Sequence, residues 1–179
     1  MSSSSKLLPM ELFEGALAYQ TSADMLHERL PAQPRIGLPL SDPVYFLYHH
    51  AVELALRACL ATSNLRTKET EHNIVALFEQ CRRAKLLGVT DEHSEMQELI
   101  GLLHGKDKGH SYRYYKRARD FVPELPWVQE VVRQLIADVE PHLRTWGKSN
   151  GVPDPLDPNT VTRLRFALCK PTYNKQAEP

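Results

Sequence analysis

The chain has 179 residues, 42% hydrophobic and 25% charged, which suits one globular domain with a sizeable core and is too little for two ordinary ones. Its 22 Lys and Arg offset 22 Asp and Glu, so no global field draws it toward nucleic acid or lipid, and electrostatic binding has to come from a local patch. The three cysteines, Cys59, Cys81 and Cys169, are odd in number and far apart, which argues against a disulfide framework and fits a reducing, cytoplasmic setting.

Residues 1–7 are serine-rich and are expected to be disordered; Pro9, Glu11 and Glu14 interrupt any signal-peptide-like apolar run. From Leu8 to Leu30 apolar residues recur at helical spacing: Leu12, Phe13, Ala16, Leu17, Ala23, Leu26 and Leu30. Pro31 and Pro34 stop that helix. A proline-rich connector then leads to Ser41 or Asp42 as cap and Pro43 as first turn of a second helix, Pro43 to Ala61. This second helix is apolar on almost every side, the mark of a helix covered by neighbours on several faces. His49, His50, Glu53 and Arg57 break the run, so it holds no stretch of about 18 apolar residues that would span a membrane.

After a polar loop, a third helix is expected from His72 to Leu86, with Ile74, Leu77, Phe78, Cys81 and Ala84 inward and Gly88 as its C-cap. Thr90, Asp91 and Glu92 suit the start of a fourth helix, whose stripe is Met96, Leu99, Ile100 and Leu103 and which ends or breaks at Gly105. Pro123 and Pro126 open a fifth helix with apolar positions from Trp127 to Trp146, a kink at Pro141 and a cap at Gly147. Beyond it, Pro153, Pro155 and Pro158 predict an extended tail. Leu164, Phe166 and Leu168 alternate there with Arg163 and Arg165, the period of a short strand or a surface arm. The expected architecture is therefore all-α: an up-and-down bundle of about five helices over 8–147, with an extended C-terminal arm over 148–179.

Two stretches are candidates for function. On the second helix, Glu53 and Arg57 are spaced i,i+4 for an ion pair, and His50 shares their face. That cluster reads either as a pair at the edge of the bundle or as a polar spot in a cleft. Between Gly105 and Asp120, Lys106, Lys108, Arg113, Lys116, Arg117 and Arg119 outnumber Asp107 and Asp120 by a formal charge of +4, interleaved with Tyr112, Tyr114 and Tyr115. Basic groups neutralise phosphates and aromatic rings stack on unpaired bases, so Lys106, Lys108, Tyr112, Arg113, Tyr114, Lys116, Arg117 and Arg119 form a candidate surface for single-stranded RNA. Tyrosines packed beneath the bundle, or an acidic protein partner, would account for the same composition.

The run Ala-Val-Glu-Leu-Ala-Leu-Arg-Ala-Cys-Leu at 51–60 resembles the second-helix signature of the HEPN superfamily of small helical bundles, an acidic residue followed four positions later by Lys or Arg. His-Asn-Ile-Val-Ala-Leu-Phe-Glu-Gln at 72–80 is similar to the opening of that family's next helix, and the resemblance covers roughly Pro43 to Trp146. It implies a helical bundle, often a homodimer, tied to RNA or to toxin–antitoxin and defence systems. Catalytic members cut RNA with an Arg and a His four to six residues apart near the last helices. Here only Arg66 and His72 have that spacing, and they lie before the third helix. The expectation is thus a non-catalytic binding or interaction module. The alternative is a metal-independent endoribonuclease with a non-standard site of His104, His110, Arg113 and Arg117, in which His carries the proton and Arg stabilises the phosphate. Glu69 and His72 form the one Glu-x-x-His unit, and there is no Cys-x-x-Cys and no glycine-rich phosphate loop, so no metal or cofactor is expected.

Overall fold

The computed structural model describes residues 8–30, 41–63, 72–87, 93–108 and 123–152. Over these residues the protein is an all-α bundle of five helices: α1 (Leu8–Glu28), α2 (Asp42–Thr62), α3 (Ile74–Arg83), α4 (His93–Lys108) and α5 (Leu125–Asn150). The N-terminal segment 1–7, the Pro31–Leu40 connector, Gly88 to Glu92 and the alternating stretch Arg163–Leu168 lie outside the described residues. None of the described helices is long and apolar enough to cross a membrane.

α2 is the centre. It packs against α1, α3, α4 and α5, and Val44, Tyr48, Val52, Leu56 and Leu60 are fully enclosed. Burying a side chain of this size stabilises the fold by about 1.5–3 kcal/mol, so α2 anchors every other helix. α1 lies closest along it. A Cβ on Gly15 would come 3.1 Å from Leu54 Cδ1, so the missing side chain lets the two helices approach. α1 buries Met10, Phe13, Ala16 and Ala23, whereas Leu26, expected inward, is 43% exposed. At about 100° per residue, Leu26 falls beyond the edge of the face set by Phe13, Ala16 and Ala23. Asp24 lies on that face and accepts a 2.7 Å hydrogen bond from the Tyr48 hydroxyl.

Several helix ends differ from the expected ones. α2 starts without a side-chain cap: Ser41 adopts a helical conformation and accepts from the Tyr45 amide through its backbone, while Pro43 fills the first turn. α3 begins two residues after His72 because Asn73 caps it, its Oδ1 accepting from the Ala76 amide at 3.1 Å. It ends before Gly88. Lys85 takes the left-handed conformation (φ 55°), and the Leu86 amide bonds back to the Cys81 carbonyl. α4 runs through Gly105 to Lys108, since an exposed glycine lowers helix stability by only about 0.5–1 kcal/mol against Ala. Gly147 does not cap α5 but sits buried inside it. The cap is Gly151 (φ 65°), with the Val152 amide on Gly147 O at 2.9 Å. α5 therefore continues past 148 to Asn150, and Val152 is the last described residue. Pro141 lies inside α5, where it can donate no backbone hydrogen bond.

Candidate functional site

α2 places His49, His50, Glu53 and Arg57 at consecutive helical spacings, and the turn before α3 adds His72. The centre of the group is the Glu53 carboxylate, only 3% exposed. Its Oε1 accepts from Arg57 Nε at 3.0 Å and lies 2.9 Å from His72 Nδ1. Its Oε2 lies 3.7 Å from His50 Nδ1 and accepts no hydrogen bond among the described residues. The expected grouping of His50, Glu53 and Arg57 is thus present, and it is a buried hub and not a rim pair. A charge taken out of water at this depth is tolerated because cationic and hydrogen-bonding groups converge on it.

Packing holds the rings around this hub. The His50 imidazole meets Tyr19 edge-on, with centroids 4.6 Å apart at 83°, and stacks on Phe46 at 5.6 Å and 16°. His49 is 1% exposed on the adjacent side of α2. The site opens outward through His50 and His72, whose side chains are 28% and 58% exposed. One donor atom from each of His49, His50 and Glu53 lies within 4.8 Å of the others.

Sequence reading missed His49 and His72. His72 is separated from Glu53 by a polar loop that carries no periodic signal. His49 did carry one: His-His-x-x-Glu puts both imidazoles one helical turn before the carboxylate, on its side of the helix. That is the reverse of the Glu-x-x-His order tested in the sequence.

Of the RNA-binding and catalytic candidates, His104 is half-buried on α4, and the backbones of Lys106 and Lys108 form the last turn of that helix. His110, Tyr112, Arg113, Tyr114, Lys116, Arg117 and Arg119 lie outside the described residues, as does Arg66. Lys108 at the end of α4 and Pro123 bracket the undescribed residues 109–122, and the Pro123 carbonyl accepts a hydrogen bond from the buried Tyr45 hydroxyl of α2. Burial, helped by the nearby Asp42 charge, pushes the Tyr45 phenol up to about 12. Burial and the bond to Asp24 raise that of Tyr48 as well.

Cys59 and Cys81 are buried free thiols, as their apolar helical faces predict. The interaction with the neighbouring Cys59 thiol, and then burial, raises the Cys81 thiol far above its ordinary value, so Cys81 offers no ready thiolate nucleophile. Comparison with protein-family models, with curated proteins and with solved structures finds no match.

Proposed function

We propose that this chain is a HEPN-like binding module that holds single-stranded RNA through its basic, tyrosine-rich segment and does not cleave it. The observation that carries the reading is the convergence on Glu53. The resemblance rests on two short motifs in different elements, the Glu53/Arg57 pair of α2 and the His72-Asn73 opening of α3. Both motifs end on one carboxylate. Two unrelated short matches would have no reason to meet. Support for RNA comes from the +4 stretch, which carries several cations interleaved with tyrosines.

The same geometry favours binding over catalysis. Arg57 and His72 come together, but around a carboxylate, whose charge offsets the positive field that a phosphate transition state would need. A homodimer, a cytoplasmic location and a role in a toxin–antitoxin or defence system belong to the same proposal and rest on the resemblance.

The test is fluorescence anisotropy with a labelled single-stranded oligouridine, read beside a gel of the same RNA. Wild type is expected to bind and leave the RNA intact, and Arg113→Glu with Arg117→Glu to weaken binding by at least tenfold. Equal binding by that variant would overturn the RNA surface. Cleavage abolished by His104→Ala with His110→Ala would replace the module by the endoribonuclease reading. No binding at low salt would move the search to an acidic protein partner.

A further inference from the structure

We propose that His49, His50 and Glu53 form a binding site for a divalent transition-metal ion, zinc above all, at the centre of α2. This goes beyond the RNA-module reading and does not depend on it. Two imidazoles and a carboxylate are the donor set that N- and O-preferring ions such as Zn²⁺ take, and Mg²⁺ and Ca²⁺ do not. One donor atom from each residue already lies within 4.8 Å of the other two. Zinc bonds of about 2.0–2.2 Å place ligand atoms roughly 3.4 Å apart in a tetrahedron, so small side-chain rotations close the set. The His50 to Glu53 separation, 3.7 Å, is nearly there.

The carboxylate itself points to a ligand. Glu53 is 3% exposed, yet its two oxygens are used very differently. Oε1 carries both Arg57 and His72, whereas Oε2 faces His50 and accepts no hydrogen bond among the described residues. A buried carboxylate oxygen left without a donor is costly, and a cation beside it removes that cost. Arg57 and His72 are then the outer partners that fix the carboxylate's orientation, as such partners do in built metal sites. Tyr19 and Phe46 fix the His50 ring in the same way. Three protein ligands leave one coordination position for water or another ligand. The partly exposed His50 and His72 mark the way in. Binding requires neutral imidazoles, so affinity falls as pH drops and protons compete for the same nitrogens.

The experiment is calorimetric titration of the full chain with Zn²⁺ alone near neutral pH, with Co²⁺ absorption as a second readout. One ion per chain is expected, with cobalt bands of a site containing nitrogen ligands. Glu53→Gln and the pair His49→Ala with His50→Ala each lower affinity by about 100-fold or more. His72→Ala falls in the 10–100-fold range of an outer partner. His27→Ala with His142→Ala, on α1 and α5, leaves affinity unchanged. If Glu53→Gln fails to fold, His50→Gln at the more exposed ring carries the same expectation. The proposal is overturned by the absence of saturable binding, or by binding that survives loss of Glu53 and both histidines and so belongs to surface histidines.

Discussion

Glu53 holds Arg57 and His72 and faces His50, and its removal has a definite cost. Glu53→Ala leaves the half-buried Arg57 guanidinium without its 3.0 Å partner and releases His72 from the bundle. Breaking a buried pair from one side destabilises by about 3 kcal/mol. Glu53→Gln keeps the shape and one acceptor, so its loss is smaller, about 1–2 kcal/mol. Urea unfolding of the two variants beside wild type checks the order. Tyr45 and Tyr48 give the pH dependence at this scale. Both phenols titrate higher in the folded protein than their ordinary value of 10. Their contribution is therefore complete below pH 10. Above it the unfolded chain loses phenol protons that the fold retains, and stability falls as pH rises toward about 12. Tyr45→Phe with Tyr48→Phe should flatten that decline in melts recorded between pH 9 and 12, at the expense of lower stability at neutral pH.

Among the elements, the stripes were legible in the sequence and the ends less so. The inward positions of α4 (Met96, Leu99, Ile100, Leu103) and of α3 (Ile74, Leu77, Phe78, Cys81) follow from the 3.6-residue period alone. Both glycine caps were misplaced, because a cap is set by where packing ends and not by the next glycine in the chain. α3 stops at Ala84 with Lys85 in the left-handed region, and α5 runs past Gly147 to Gly151. These two ends make opposite predictions. Lys85→Gly relieves a backbone conformation that costs an L-residue about 1–2 kcal/mol and should raise stability by about 1 kcal/mol. Gly151→Ala introduces the same strain at φ 65°, where no side chain stands within 4 Å, and should lower stability by about 1 kcal/mol. Shifts in the urea midpoint with opposite signs would bear this out.

For the whole molecule, α2 was identifiable as the centre because its apolar residues go all the way round, and the structure covers it with four helices. The polar hub inside it was half legible. The Glu53/Arg57 spacing named one half, and a carboxylate shared across a loop with His72 has no spacing to read. In the proposed reading, that hub, the motifs that meet there and the basic stretch from Gly105 to Asp120 belong to one RNA-binding module. Its most direct test is the affinity for a single-stranded RNA measured across a salt series from about 50 to 200 mM. Each phosphate neutralised on a single strand contributes about −0.7 to the slope of log affinity against log salt, so the six basic residues between Gly105 and Asp120 predict a slope of about −4. A flat line, or no binding at the lowest salt, would contradict the account.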